Sequence, residues 1–288
     1  MRHVRPHPGT AVPGTGVKPL TRLGALVCAA ALALAACTAD PMDDSEVVVA
    51  SGTPVPEVSA PSATADPDQV AVPEVGHPTT ALIATATGSS VDVYDEPRGT
   101  VTQTVAAEDV LTVPDQTPLT FLVEEQDGEW LNVHLPVRPN GTTGWIEASD
   151  VGLVSTDMRV EVMLDTFTLT VYQGSDVVLE SAIGVGRGDR PTPGGVYYIR
   201  ELLQPPDPDG LYGPYAYGLS GYSPVLDEFN GGDAIIGIHG TNDPDSIGTL
   251  ASSGCIRLPN DVITELVTDV GIPLGTPVYI GEADAPGA

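Results

Sequence analysis

The feature that most constrains the fold is a series of short apolar runs that alternate with a period of two residues and end at turn-forming dipeptides. Asp127-Gly128 and Asn140-Gly141 are two such dipeptides, and both favour tight hairpin turns. Alternation of this kind places apolar side chains on one face of a β-strand, whereas a helix needs a period of about 3.6 residues. Glycine and proline are also abundant, with 32 and 28 residues, which favours short strands over long helices. The sequence therefore predicts a mainly β fold.

The strand-like runs fall into two groups along the chain. The first group comprises residues 91–94, 119–123 and 130–135. The second group comprises residues 159–164, 168–172, 177–182, 196–199, 234–238 and 278–280. One helix is predicted after the fifth run of the second group, with Asn260 as its cap and Gly271 as its stop. Its apolar stripe repeats at helical spacing through Val262, Ile263, Leu266, Val267 and Val270.

The first 36 residues have the composition of a targeting signal. Basic residues and no acidic ones precede an apolar run that is short for a membrane span. The run ends in Leu34-Ala35-Ala36-Cys37, which resembles the lipobox of bacterial lipoproteins, whose cysteine carries diacylglycerol. The chain is therefore expected to be exported and anchored by a lipid on Cys37 to the outer face of the cytoplasmic membrane, facing the wall. The alternative is a secretory signal in which Cys37 is incidental.

The charge of the chain is strongly acidic. It has 39 acidic and 11 basic residues, and its formal net charge is −28. Such a surface repels nucleic acid and anionic lipid, so no nucleic-acid partner is expected. Neutral or cationic partners, such as an amine-bearing peptide, are favoured. The simpler explanation of the charge is solubility in salt.

Cysteine usage singles out Cys255. Cys28 lies in the segment predicted to be removed, and Cys37 is predicted to carry lipid. Cys255 is then a lone thiol in an exported protein, where unpaired thiols are uncommon. It is a candidate nucleophile, and the alternative is a small buried hydrophobic residue.

Cys255 lies in Ser253-Gly254-Cys255-Ile256-Arg257, and His239 follows the apolar run at 234–238. A thiol needs a base or a cationic neighbour to attack an acyl carbon, and histidine can be that base and later protonate a leaving amine. The small residues before Cys255 suit a tight turn. Such a turn can aim the backbone N–H groups of Gly254 and Cys255 at a developing oxyanion.

These motifs resemble the L,D-transpeptidase catalytic domain. The resemblance includes His239-Gly240-Thr241, the Ser-x-Gly-Cys-Ile-Arg motif that ends at Arg257, and Arg190-Pro191-Thr192-Pro193-Gly194. It implies a β-sandwich-like domain in which Cys255 attacks the third residue of a wall tetrapeptide stem. D-Ala leaves, a thioester remains, and the amine of a second stem gives a 3→3 cross-link. The family also implies that carbapenems acylate the cysteine.

The resemblance assigns further site residues. Ser253 stands where the family has His, and its backbone N–H is expected to serve the oxyanion together with that of Gly254. Arg257 and Tyr222 are expected to contact substrate, and so are Gly240 and Thr241. The alternatives are a structural ion pair for Arg257 and a packing role for Tyr222.

The whole chain is predicted to have five parts. Residues 1–36 form the signal peptide, and residues 37–80, which lack aromatic residues and are rich in Pro, Ala and acids, form a disordered tether. Residues 81–155 resemble a small bacterial SH3-like β-barrel domain through Gly128-Glu129-Trp130 and Gly144-Trp145-Ile146, and are expected either to bind wall peptide or to serve as a spacer. Residues 156–282 form the catalytic domain, and residues 283–288 form a tail.

Residue composition argues against several other enzyme classes. After Cys37 the histidines are His77, His134 and His239, which argues against catalytic zinc, and no metal or cofactor is predicted. No lysine follows Lys18, which excludes a Ser-x-x-Lys penicillin-binding site. Two alternatives stay open: an L,D-carboxypeptidase that gives the thioester to water, and a catalytically decayed wall-binding lipoprotein.

Overall fold

The computed structural model describes residues 76–112 and 117–281. The predicted signal peptide, the lipid site at Cys37, the tether up to residue 75 and the tail at 283–288 lie outside the described residues. Within the described ranges the chain is mainly β, and its longest helical segment has 11 residues, Asn260 to Val270. This confirms the predicted fold class. None of the helices in the part of the chain that the structure describes is long and apolar enough to cross a bilayer.

The first sheet is antiparallel and comprises residues 81–156. Its strands are β1 (Ala81–Ala86), β2 (Ser90–Tyr94), β3 (Val101–Ala106), β4 (Thr120–Asp127), β5 (Trp130–His134), β6 (Thr143–Glu147) and β7 (Val151–Thr156). They are ordered β3-β2-β6-β5-β4-β1-β7. A short helix, α1 (Ala107–Val110), follows β3, and a 3₁₀ turn (Ala148–Asp150) precedes β7. Alternate residues such as Val91 and Val93, or Leu131 and Val133, are buried in one core, as a period of two requires.

The remaining strands follow Asp157. They are β8 (Met158–Met163), β9 (Thr168–Gln173), β10 (Asp176–Ala182), β11 (Val185–Gly186), β12 (Gly195–Leu203), β13 (Ala216–Tyr222), β14 (Glu228–Phe229), β15 (Gly232–Asp233), β16 (Ile235–His239), β17 (Leu250–Ser252), β18 (Ile256–Arg257) and β19 (Pro277–Gly281). Eight of them form the second sheet, in the order β10-β9-β8-β19-β12-β13-β16-β18. Two small pairs, β11 with β17 and β14 with β15, lie beside it. Each of the nine predicted runs overlaps one of the observed strands.

The helix packs its predicted apolar stripe against the core of the second sheet. It comprises α2 (Asn260–Glu265) and a π-helical turn (Leu266–Val270), and Ile263 and Leu266 are fully buried. Gly271 ends it in the left-handed conformation, with φ of 67°. The predicted cap is wrong. The N-cap position is Pro259, and the side chain of Asn260 accepts a hydrogen bond from the N–H of Thr241 (2.8 Å) instead.

Candidate active site

A cleft of about 960 Å³ lies beside strand β16. His239, Ser253, Cys255 and Arg257 line it, together with Tyr212 from the segment before β13. The walls include residues 108–112, which follow strand β3 of the first sheet, and residues 229–237, which lead into strand β16 of the second sheet. The structure therefore brings the two predicted catalytic residues to one cavity.

Strand topology explains why these residues meet. β16 and β18 are parallel neighbours, with Ile238 opposite Ile256 and His239 opposite Arg257. Because parallel strands run in the same direction, the chain must leave β16 at His239 and return to the start of β18. Residues 240–254 make this return through the 3₁₀ turn Pro244–Ser246 and the short strand β17. Cys255 directly precedes β18, so its position is set by the same pairing.

His239 is held in a defined tautomer. It is buried, and its Nδ1 lies 2.5 Å from the carbonyl oxygen of Gly240. A carbonyl only accepts hydrogen bonds, so Nδ1 carries the proton and Nε2 is left as the basic nitrogen. Burial lowers the pKa of His239 to about 4, with a smaller opposing effect from the Gly240 carbonyl and a further lowering by the charge of Arg257. At neutral pH the imidazole is therefore uncharged and able to accept a proton.

The Cys255 thiol is protonated at rest. Burial raises the pKa of Cys255, and the backbone N–H of Gly237 and the charge of Arg257 oppose this more weakly. The S–H is directed toward the carbonyl oxygen of Ile235, at 3.8 Å. Cys255 and His239 are thus both uncharged at rest, and attack on a carbonyl requires the S–H proton to leave the Ile235 carbonyl and pass to a base.

Comparison with known proteins gives the family. A family model described as the L,D-transpeptidase catalytic domain (YkuD) matches residues 157–280. The Bacillus subtilis protein named "Putative L,D-transpeptidase YqjB" is 33% identical over 135 residues, which cover 43% of this chain and 71% of that protein. The chain belongs to the L,D-transpeptidase catalytic domain family. This confirms the resemblance stated from the sequence motifs.

Other members of the family are also similar. The Bacillus licheniformis protein named "Putative L,D-transpeptidase YkuD" is 37% identical over 122 residues, covering 42% of this chain and 64% of that protein. The chain thus spans less than two thirds of the length of this relative. A solved structure of the catalytic domain from E. faecium L,D-transpeptidase aligns with a TM-score of 0.31 and 26% identity over 43% of this chain and 96% of that one. The family assignment rests on the sequence matches.

Residues 253–255, which connect β17 to β18, are named here the nucleophile loop after the predicted role of Cys255. Two buried hydroxyl groups form hydrogen bonds with this loop. Thr192 donates to the carbonyl of Gly254 (2.9 Å) and accepts from the N–H of Gly186 (2.8 Å). Ser252 donates to the carbonyl of Cys255 (2.5 Å) and accepts from the N–H of Gly254 (3.1 Å). The Gly254 N–H is therefore engaged within the loop, and its role as an oxyanion donor stays a prediction.

Two further features fix the loop around Cys255. Gly254 has φ of 121°, a backbone conformation that residues with a Cβ rarely adopt, so the position requires glycine. Ser253, which stands where the L,D-transpeptidase family has His, accepts a hydrogen bond from the guanidinium of Arg190 (3.3 Å). Its backbone role toward an oxyanion stays a prediction.

Arg257 has features of both roles weighed for it. It forms an ion pair with Asp243 (3.5 Å), which is the structural alternative. It also lines the cleft, and its buried Nε has no hydrogen-bond partner among the described residues. Contact with the substrate of the transpeptidase domain therefore stays a prediction.

Three of the predicted substrate-binding residues lie away from the cleft. Tyr222 is buried between the two sheets, where its hydroxyl donates to the carbonyl of Pro136 (2.8 Å) and accepts from Arg200 (3.2 Å). Its substrate role is not supported by this position, and the packing alternative is the one observed. Gly240 and Thr241 pack against Asn260 and hold the turn after β16. Their contact with substrate stays a prediction.

Tyr212, which no sequence motif indicates, contacts the predicted catalytic histidine. Its ring meets that of His239 edge to face, with centroids 5.0 Å apart at 73°. Its hydroxyl accepts from Nδ2 of Asn230 (3.1 Å), and burial raises the pKa of Tyr212, so the hydroxyl stays protonated. No local sequence pattern distinguishes Tyr212 from Tyr215 or Tyr217.

Within the described ranges, no group of three or more His, Cys, Asp or Glu side chains is arranged to hold a metal ion.

Proposed function

We propose that this protein is an L,D-transpeptidase that forms 3→3 cross-links between peptidoglycan stem peptides through a thioester on Cys255. The observation that carries the proposal is that Cys255 and a neutral His239, whose Nε2 is the basic nitrogen, line one cleft. Family membership supports the same reaction class. The donor is a tetrapeptide stem, and the acceptor is the side-chain amine of a second stem.

The reaction has two acyl transfers. In the first, the sulfur of Cys255 bonds to the carbonyl carbon of the third stem residue while the S–H proton passes to Nε2 of His239. The carbon–nitrogen bond to D-Ala then breaks, and the imidazolium returns the proton to the leaving amine. In the second, the acceptor amine attacks the thioester and gives its proton to Nε2, which passes it to the departing sulfur. One D-Ala is released for each cross-link, and no cofactor takes part.

The test is mass spectrometry of the products formed by the full chain from a purified tetrapeptide muropeptide. A dimer that has lost one D-Ala is expected, with Cys255→Ala inactive and His239→Gln strongly impaired. Cys255→Ser is the matched control, since it replaces the thiol with a hydroxyl group of similar size that is a much weaker nucleophile. Incubation with a carbapenem is expected to add the mass of one drug molecule to the peptide that contains Cys255.

Other outcomes of this experiment identify the alternatives. Tripeptide without dimer shows that water takes the thioester, so the protein is an L,D-carboxypeptidase. No product, with Cys255 unreactive toward the carbapenem, supports a wall-binding protein whose catalytic site has decayed. In that case Ser253→His is the first variant to make, because Ser253 is the departure from the family motif.

We further propose that the protein is exported and lipid-anchored at Cys37. The supporting observation is the sequence Leu34-Ala35-Ala36-Cys37 at the end of a basic and then apolar segment. Expression of the wild type and of Cys37→Ser in a bacterium tests it. The wild type is expected in the membrane fraction with a diacylglycerol mass, and the variant without that mass. A wild-type protein that is membrane-bound without a lipid mass would disprove the anchor.

A further inference from the structure

The loop between β5 and β6 of the first sheet reaches across to the second sheet beside the cleft. The guanidinium of Arg138 donates to the carbonyl oxygens of Ser223 (2.8 Å) and Leu226 (2.9 Å), with that of Asp227 at 3.5 Å. It also lies over the ring of Tyr222, 4.8 Å from the ring centroid. One arginine thus holds the carbonyl groups of a segment that directly follows β13. A planar guanidinium with several donors suits such a task better than the single ammonium of lysine.

Asn140, in the same loop, pairs with the backbone at the end of β13. Its Nδ2 donates to the carbonyl of Tyr222 (2.8 Å), and its Oδ1 accepts from the N–H of Tyr222 (2.9 Å). This two-bond pair engages both backbone groups of that residue. The hydroxyl of Tyr222 completes the contact by donating to Pro136 (2.8 Å). Arg138 and Asn140 therefore fix where β13 ends and how the following residues leave it.

The segment that Arg138 and Asn140 hold is a wall of the catalytic cleft. Residues 223–234, named here the wall loop, contribute Ser223, Leu226, Phe229 and Asn230 to the lining. Within this loop, the N–H of Ser223 donates to Ala234 and the N–H of Ala234 donates to Asp227. Arg138 and Asn140 do not themselves line the cleft.

The wall loop also contacts the residues around the catalytic base. Asn230 donates to the hydroxyl of Tyr212 (3.1 Å), and the ring of Tyr212 meets that of His239. A continuous series of contacts thus leads from Arg138 through the wall loop and Tyr212 to His239. Displacement of the loop would change both the lining of the cleft and the packing around the imidazole.

We propose that Arg138 and Asn140 are positioning residues for the reaction, which hold the wall loop in the shape that accepts the donor stem. The first sheet is then part of the catalytic apparatus, in addition to any wall binding of its own. The inference rests on the proposed function, since the effect on catalysis presumes that the cleft binds a stem peptide. Its structural part, that Arg138 holds the wall loop, is testable without activity.

The principal variant is Arg138→Gln in the full chain. Arg159→Gln is the matched control, because Arg159 also lies over a tyrosine ring (Tyr172, 3.9 Å) and donates to a carbonyl (Gly174), but lies away from the cleft. Hydrogen exchange at the amides of the wall loop is expected to rise about tenfold or more in Arg138→Gln, and to be unchanged in Arg159→Gln. Asn140→Ala is expected to raise the same exchange rates, and serves if Arg138→Gln does not fold.

The kinetic expectation is a rise in the KM for the tetrapeptide donor of about tenfold, with a fall in kcat of less than about threefold. Arg138→Lys keeps the positive charge and can still donate a hydrogen bond to the wall loop. Its KM is expected to lie between that of Arg138→Gln and that of the wild type. The proposal is overturned if the exchange rates of the wall loop in Arg138→Gln and Asn140→Ala match those of the wild type. It is also overturned if Arg159→Gln raises KM as much as Arg138→Gln does. If no variant, including the wild type, makes product while exchange still rises in Arg138→Gln, the proposed function has failed and the loop-holding role stands.

Discussion

At the scale of single residues, burial shifts the pKa values of Cys255 and His239 in opposite directions. Burial disfavours charge, so it raises the pKa of the thiol and lowers that of the imidazole. A preformed thiolate–imidazolium pair is therefore disfavoured in the free protein. The chemistry depends on proton transfer during attack, for which a neutral imidazole with a basic Nε2 is the required form.

The pH dependence of acylation follows from this neutral pair. The base must be unprotonated, and the pKa of His239 is lowered from 6.5 to about 4, so activity is lost only as the pH falls toward 4. We expect the rate of carbapenem acylation of Cys255 to show no decrease between pH 8 and pH 6. An acid limb with a midpoint between 6 and 7 would contradict the assignment of His239 as a buried neutral base.

The same shift affects stability, so unfolding must be followed at each pH. Below about pH 6.5 an unfolded His239 takes up a proton that the folded protein does not bind, until the pH reaches about 4. The free energy of unfolding is therefore expected to fall as the pH is lowered through this range. Rates are to be compared only where thermal unfolding shows a folded protein.

Gly254 allows a test of the geometry of the nucleophile. In Gly254→Ala the backbone at φ of 121° is strained for any residue with a Cβ, and the new methyl group also comes within 2.9 Å of the end of the Ile236 side chain, so we expect the loop that carries Cys255 to move. We expect carbapenem acylation to fall by about a hundredfold or more, as displacement of a reacting group by about 1 Å has that effect. Gly248→Ala is the control, with φ of 77° but nothing within 4 Å of its Cβ. It is expected to lose only about 1 kcal/mol of stability and no acylation rate. Equal rates for both variants would refute the role of Gly254.

At the scale of elements, the nucleophile loop depends on hydroxyl groups from two different segments. Thr192 lies before β12 and bridges the N–H of Gly186 in β11 to the carbonyl of Gly254. Ser252 ends β17 and bridges Gly254 to Cys255. The parallel pairing of β16 with β18 brings the histidine and the cysteine together, and these hydroxyl groups set the direction in which the cysteine points.

Removal of the Thr192 hydroxyl is expected to destabilise the loop more than its small volume suggests. Thr192→Val keeps the shape of the side chain but leaves one buried donor and one buried acceptor unsatisfied, which costs about 1–3 kcal/mol for each group. Chemical unfolding is expected to show a combined loss of about 2–6 kcal/mol for the two groups, with slower acylation of Cys255. Thr192→Ser retains the hydroxyl and is expected to lie much closer to the wild type. A Thr192→Val protein with unchanged stability and unchanged rate would show that the bridge is not required.

At the scale of the whole molecule, the two sheets are joined by buried polar groups. Arg200 and Glu201 form an ion pair (3.2 Å) with side chains 2% and 1% exposed, and Arg200 also donates to Tyr222. The carboxylate of Glu201 accepts from the backbone N–H (2.7 Å) and the hydroxyl (3.1 Å) of Thr112, at the edge of the first sheet. With Arg138 and Asn140, these contacts attach the first sheet to β12 and to the end of β13.

Glu201→Gln is expected to leave the buried charge of Arg200 without its counterion. Loss of one partner of a buried pair lowers the free energy of unfolding by about 3–5 kcal/mol, which urea denaturation can measure. Glu161→Gln is the matched control, since Glu161 pairs with Arg159 (2.6 Å) but is 21% exposed. A loss of about 1 kcal/mol or less is expected there. Similar losses in the two variants would show that burial of the Arg200 pair has little effect.

Local sequence patterns were sufficient to predict the strands, the helix and the family. Period-two alternation predicted the strands, the helical stripe ending at Gly271 predicted the helix, and the motifs around His239 and Cys255 indicated the family. Each of these signals lies within a few residues of the element that it describes, because strand faces, helix faces and turns are local properties. The mainly β fold and the family were predicted correctly for that reason.

The hydrogen bonds between distant polar groups, by contrast, could not be predicted without the tertiary structure. Tyr222 was expected in the cleft but is held by Asn140, a residue 82 positions away, and Asn260 was expected as a cap but bonds Thr241, 19 positions away. Thr192, Tyr212 and Arg138 act on the site through partners that no spacing rule connects to them. A side-chain hydrogen bond depends on where two distant segments come together, and that arrangement arises from packing of the whole chain rather than from any local pattern.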